Sequence, residues 1–286
     1  MSNLNKLVIK PELKIKILDL LNEGFKPKFI SNKLGINYST LFSFVKKERP
    51  DLKFNPVVKN ENYFNIIDSH SKAYILGFIC ADGAIVESKT ATSLTITVKY
   101  EDRPILDFIK SELCSNHNLL EIIRPSGFDK NKTIHHIRLS FSNKNIINDL
   151  MKFGITTRKS LTMDNLIQNI PFEYRDSFII GYFDGDGSVT TNDKLRQKPG
   201  TNKFYPNYTI AICIRGTRDF LLGICEHLNI KESYIKEYDS IPRLTFSSKK
   251  DVVRFFNCYK NLNFYYTRKY NKFLDKINHK SYDKYK

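Results

Sequence analysis

Two aspartates, each followed by glycine, close two nearly identical stretches of this chain. Residues 73–85 run Ala73, Tyr74, Ile75, Leu76, Gly77, Phe78, Ile79, Cys80, Ala81, Asp82, Gly83, Ala84, Ile85, and residues 177–189 run Ser177, Phe178, Ile179, Ile180, Gly181, Tyr182, Phe183, Asp184, Gly185, Asp186, Gly187, Ser188, Val189. Asp186 follows Asp82 by 104 residues, the period of a duplicated unit. A duplicated element that twice ends in a carboxylate offers a paired acidic site on a pseudo-two-fold axis. Paired carboxylates repel one another, and a divalent cation relieves the repulsion.

Each stretch is long enough for a short helix, with Gly77 and Gly181 at matching positions. Glycine inside a helix costs about 1 kcal/mol against alanine, so two in register require a reason. Close approach supplies it: where two helices cross backbone to backbone, only a residue without a side chain fits. Asp82 and Asp186 then fall side by side at two helix C-termini, where the helix dipoles also oppose them. Gly83 and Gly187 are expected to turn left-handed and stop each helix.

On these residues the chain resembles the LAGLIDADG homing endonucleases, with Ile75 to Gly83 and Ile179 to Gly187 matching the nine-residue motif. The lead-in Phe64 to Asp68 adds to the resemblance, which covers roughly residues 63–275. It implies an α/β (α+β) body of two αββαββα halves related by a pseudo-two-fold axis. It implies that the last acid of each motif, Asp82 and Asp186, binds Mg²⁺ or another divalent ion such as Mn²⁺. Cys80 departs from the motif where Asp184 keeps an acid, which leaves that inferred pair whole. Thr157, Arg158, Lys159 and Ser160 are echoed by Thr267, Arg268, Lys269 and Tyr270, and the resemblance puts a basic residue there at the rim of the active site. Lys159 and Lys269 are therefore expected as surface lysines that steady transition-state charge or position water. No dinucleotide or Walker fingerprint implies a further cofactor, and His135 and His136, adjacent on a strand, cannot form a zinc pair.

Alternating residues mark the strands that would carry substrate. Leu94, Ile96 and Val98 alternate with Thr95, Thr97 and Lys99; Ile137, Leu139 and Phe141 alternate with Arg138 and Ser140. The second copy sets Ile210, Ile212 and Ile214 against Arg215, and Leu244 and Phe246 against Arg243 and Thr245. One face of each strand suits a core; the other offers hydroxyls and cations for base edges and phosphates.

The charge balance agrees with such a partner. The 286 residues hold 46 Lys and Arg against 30 Asp and Glu, a formal net charge of +16. Residues 1–50 and 260–286 each carry net +6 of it, so both ends read as phosphate-seeking extensions. Residues 11–48 resemble a helix-turn-helix of the resolvase type, with Ser31 and Gly35 letting the helices pack and turn. Tyr38, Ser39, Thr40 and Ser43 would then face bases, with Lys46 and Lys47 near phosphate. Two prolines and no periodicity make the following stretch a linker, from which Tyr63, Phe64 and Ile67 dock onto the body.

The expected organisation is a helix-turn-helix domain at 1–50, a linker at 51–70, a first half at 71–162 and a second half with a basic tail at 163–286. No apolar run approaches the roughly 18 residues of a membrane span, and the five cysteines lack C-x-x-C spacing. These features predict an intracellular monomer with no membrane partner, in the cytoplasm or nucleoid of a bacterial or phage-infected host, an organelle being the alternative. The expected activity is metal-dependent, site-specific cleavage of both strands of duplex DNA. An intron-RNA-binding maturase and a catalytically inactive DNA-binding regulator remain the alternatives on the same scaffold.

Overall fold

The computed structural model describes residues 9–52, 56–89, 91–127, 129, 131–157, 164, 166–197, 199–237 and 241–286. The chain divides into two compact units, Met1–Val57 and Val58–Lys286. The second unit therefore begins inside the expected linker, because Val58, Tyr63, Phe64 and Ile67 are already buried in its core.

The first unit holds α1 (Pro11–Asn22), α2 (Pro27–Leu34) and α3 (Tyr38–Glu48). Proline opens α1 and α2, where its missing N–H costs nothing. Gly35 ends α2 at φ +65°, a left-handed conformation that a side chain would strain. Ser31 is buried, and its Oγ donates to the Ile36 carbonyl at 2.7 Å, bracing the turn. Asn37 caps α3 by accepting from the Ser39 and Thr40 amides. Ile17, Leu20, Leu21, Ile30, Leu41 and Val45 close a small core of their own.

The second unit repeats one topology. Helix α4 (His70–Asp82) leads into β1 (Gly83–Glu87), β2 (Thr92–Lys99), α5 (Arg103–Glu112), β3 (Leu120–Pro125), β4 (Thr133–Phe141) and α6 (Lys144–Lys152). Helix α7 (Arg175–Asp186) leads into β5 (Ser188–Gln197), β6 (Phe204–Arg215), α8 (Arg218–Leu228), β7 (Ile235–Lys236), β8 (Arg243–Phe246) and α9 (Lys249–Asn257), with α10 (Thr267–Ile277) following. Each half is thus αββαββα, and its antiparallel sheet is ordered β1-β2-β4-β3 or β5-β6-β8-β7. The alternating rows fall as their spacing predicts. Leu94, Ile96, Ile137 and Leu139, and in the other sheet Ile210, Ile212, Ile214 and Leu244, are fully or almost fully buried, leaving the polar rows on the opposite faces.

Helices α4 and α7 join the halves. Ala73–Ala81 of α4 is buried without interruption, as is Ser177–Asp184 of α7, so neither has a solvent face. Their packing is reciprocal about the two glycines. A Cβ on Gly77 would overlap the Phe178 carbonyl, and one on Gly181 would overlap the Tyr74 carbonyl. Both obstacles are backbone and cannot swing aside. Gly77→Ala and Gly181→Ala should therefore each cost about 3 kcal/mol or more in urea unfolding. Gly127→Ala, where an added Cβ meets nothing within 4 Å, should stay within about 0.5 kcal/mol.

Candidate active site at two helix ends

The crossing brings the ends of α4 and α7 together. A Cβ on Gly185 would stand 3.4 Å from the Asp82 carboxyl carbon, so the last turn of α7 lies against the turn that carries Asp82. Asp82 is half-buried and Asp186 exposed. The two predicted carboxylates thus arise from adjoining helix ends.

Gly83 and Gly187 leave those helices differently from expectation. Their backbones are extended, at φ −76° and −79°, not left-handed. Glycine is required by space: a Cβ on Gly83 would sit 2.7 Å from the Ile79 carbonyl, and one on Gly187 would run into the Phe183 ring. The chain passes straight from each helix into β1 or β5, keeping the aspartate at the junction.

Lys269 is also unlike the surface lysine expected. It lies in the first turn of α10 and is only 6% exposed. Its Nζ donates to the carbonyls of Phe183 at 2.6 Å, Asp184 at 2.7 Å and Gly187 at 2.7 Å, with Gly185 at 3.3 Å. The Phe183 carbonyl also accepts from the Gly187 amide at 2.8 Å, and Lys269 adds a donor to the carbonyls of the last turn of α7 and of Gly187 just beyond it. Burial pushes the amine down to about 8, while Asp184, Asp82 and Asp186 pull the other way. Its first-half counterpart, Lys159, lies outside the described residues.

Asp184, which the motif pairing leaves aside, is almost completely buried. One carboxylate oxygen accepts from the Tyr74 hydroxyl of α4 at 2.7 Å and from the Tyr266 amide at 2.8 Å. The other has no partner among the described residues. Burial pushes this carboxyl up to about 6, against the two hydrogen bonds and Lys269. Arg268 adds a second tie, since its guanidinium makes two bonds to Asp102, at 2.8 and 3.3 Å, joining α10 to the first half. The sole sequence signal for these groups is the mismatch between Cys80 and Asp184, together with the Thr-Arg-Lys echo.

A cleft of about 320 Å³ opens beside Asp82, lined also by Thr97, Lys99, His136, Arg268 and Lys269. A larger cavity of about 550 Å³ lies beyond Arg268 and Tyr266, among Leu262, Phe264 and Tyr265, and contains neither motif aspartate. On the first sheet, Thr95 and Ser140 share a hydrogen bond of 2.9 Å, and Arg138 Nε donates to Thr97 at 3.0 Å. On the second, Arg215 stands opposite Arg243, which also pairs with Lys236, and Thr245 is exposed. In the first unit Tyr38, Ser39, Ser43, Lys46 and Lys47 are exposed and Thr40 is half-buried; the Ser39 hydroxyl donates to Asn37 at 2.6 Å.

The donor set fits a hard cation. Two carboxylates at adjoining helix ends are oxygen ligands of the kind Mg²⁺ takes when nucleic-acid phosphates complete its shell. Among the described residues no group of three His, Cys, Asp or Glu could hold an ion, so such a shell would need oxygens from elsewhere. None of the helices described is long and apolar enough to cross a membrane.

The Asp184 network sets a stability contrast. Tyr74→Phe removes one donor from a buried carboxyl and should cost about 1–3 kcal/mol in thermal unfolding. Tyr259→Phe removes a buried hydroxyl with no partner among the described residues, and should change stability by less than about 0.5 kcal/mol.

No protein family's sequence profile matches the chain. An uncharacterized protein of Methanocaldococcus jannaschii is 29% identical over 183 residues, a match spanning 62% of this chain and 61% of that protein. Among solved structures the chain is similar to the LAGLIDADG meganuclease I-AabMI bound to uncleaved DNA, at 13% identity and TM-score 0.49, over 74% of this chain and 90% of that one. It is similar also to the I-LtrWI LAGLIDADG homing endonuclease bound to target DNA, at 15% identity and TM-score 0.44, over 76% and 89% of the two chains. The homing endonuclease I-WcaI bound to its DNA recognition sequence gives 15% identity and TM-score 0.45, over 74% and 91%. The second unit is a doubled αββαββα body closed on two glycine-crossed helices, and two of the solved structures to which the chain is similar are LAGLIDADG endonucleases bound to DNA.

Proposed function

We propose that this chain is a LAGLIDADG-type endonuclease that cuts both strands of a specific duplex DNA site as a single chain. The observation that carries this reading is the pair Asp82 and Asp186 at adjoining helix ends, fixed by a crossing that only Gly77 and Gly181 permit. The polar faces of the two sheets supply a groove-sized array of hydroxyls and cations, with Thr95, Thr97, Lys99, Arg138 and Ser140 in one half and Arg215, Arg243 and Thr245 in the other. Arg and Lys contacts to phosphate set register, while hydroxyls and guanidinium forks read base edges.

Asp82 and Asp186 would hold Mg²⁺ or Mn²⁺ between them. When bound, such an ion lowers the pKa of attacking water and offsets charge on the scissile phosphate. The chain's own part is placement. The crossing sets the distance between the carboxylates, Arg268 and Lys99 line the cleft beside Asp82, and the sheets hold the duplex so that each half serves one strand. Spread of an intron or a free-standing mobile element is the biological role that such cutting supports.

The test uses the purified chain, Mg²⁺ and a supercoiled plasmid library of candidate sites, with cut ends sequenced. Wild type should linearise a subset sharing one long sequence. Asp82→Asn and Asp186→Asn should each lower double-strand cleavage by about 10³-fold or more and leave DNA affinity within a few-fold. Full cleavage by either variant would remove the aspartates from the site. Binding without cleavage by wild type would leave the inactive-regulator reading.

A second expectation concerns the N-terminal unit. Deleting residues 1–50 removes net +6, while the second unit keeps its own core. Affinity should fall, and the slope of log K against log salt should flatten by roughly one unit for each phosphate no longer neutralised. Equal slopes in the two proteins would mean that this unit touches no phosphate.

A further inference from the structure

Lys269 and Asp184 face each other across one joint. On one side, the Lys269 ammonium gathers the carbonyls of Phe183, Asp184, Gly185 and Gly187. The Gly185 carbonyl belongs to the peptide that leads into Asp186 and the Gly187 carbonyl to the second peptide beyond it, so backbone before and after that aspartate is tied to a single cation. On the other side, the Asp184 carboxylate takes the Tyr266 amide, three residues before Lys269, and the Tyr74 hydroxyl from α4. The end of α7 thus grips the start of α10 through an acceptor, and α10 grips the end of α7 through a donor. A buried ammonium with four acceptors has no hydrogen left for a phosphate oxygen, because it carries only three donors.

We propose that Lys269 and Asp184 form a reciprocal latch that positions Asp186 for its cation, making Lys269 a positioning residue and not a cation that meets the scissile phosphate. The proposal rests on the nuclease reading above and reassigns the lysine within it. The carboxylate arm of the latch has no like residue in α4, where Cys80 occupies the place that Asp184 occupies in α7.

The experiment follows single-turnover cleavage against Mg²⁺ concentration, with melting temperature measured in parallel with and without Ca²⁺. Lys269→Met should melt lower than wild type and raise the Mg²⁺ concentration for half-maximal cleavage about 10-fold or more, as removal of a ligand-orienting group does. Its rate at saturating Mg²⁺ should stay within about 3-fold. Asp184→Asn keeps the ammonium, loosens the Tyr266 and Tyr74 arm and removes the carboxylate charge beside Lys269; it should shift the ion requirement in the same direction, and it carries the test should Lys269→Met not fold. The Ca²⁺ concentration that stabilises the fold should rise in both variants.

A rate about 100-fold lower at saturating Mg²⁺, with the ion requirement unchanged, would overturn the latch in favour of a phosphate-facing lysine. Lower melting with an unchanged ion requirement in both variants would overturn it in favour of a helix cap alone. A wild type that responds to Ca²⁺ yet cuts no DNA would sink the nuclease reading, while the Ca²⁺ comparison still decides the latch. One that neither cuts nor responds to Ca²⁺ overturns both.

Discussion

The second unit depends on the distance between two backbones. Helices usually pack 8–10 Å apart because side chains stand between them. At Gly77 and Gly181 nothing does, and each glycine faces the carbonyl of the residue three before its counterpart, Phe178 or Tyr74. This reciprocity fixes rotation as well as separation, since sliding or turning either helix would drive a Cβ into the other. The positions of Asp82 and Asp186 follow from that geometry, five residues beyond each glycine. The sheets inherit it too, because β1 and β5 start where the helices stop.

Such a crossing creates an electrostatic problem at its far end. Two helix C-termini, each equivalent to about half a negative charge, converge beside two carboxylates. The chain answers with positive charge drawn from α10: Lys269 on the carbonyls of α7, and Arg268 on Asp102. Burying an ammonium is expensive unless its hydrogens are satisfied, and four carbonyl acceptors meet that condition. The remaining cost shows as an amine pushed down to about 8 and a buried Asp184 carboxyl pushed up to about 6. Both shifts come from burial beside Asp186.

Much of this was readable in the residues. The doubled motif located both helices, the glycines announced the close approach, and period-two alternation separated core rows from polar rows in both sheets. What escaped reading depends on side-chain packing, most of it with neighbours distant in sequence. Glycine at Gly83 and Gly187 answers to the space left by Ile79 and Phe183 one turn back, not to a left-handed turn. Burial of Lys269 needs α10 to dock under α7, bringing together residues more than 80 positions apart. Asp184 stands out in the sequence only as the acid that Cys80 lacks, because its partners, Tyr74 and the Tyr266 amide, come from opposite ends of the unit. Lys269, set in the polar, tyrosine-rich stretch 265–271, gives no local sign that it will be enclosed.

The unbroken burial of α4 and α7 bears on how the two halves could exist apart. In an amphipathic helix one stripe is covered and the rest meets water; here nine consecutive residues of α4 and eight of α7 are shielded. Cutting the chain between the halves would strip one side of each helix and leave an apolar, backbone-exposing groove shaped for a glycine-bearing helix. Such a fragment would be drawn to a second copy of itself or to its separated companion. The covalent link thus supplies concentration to an interface that is complementary on its own, and it lets the two copies diverge, as Cys80 and Asp184 already have, without either losing its mate.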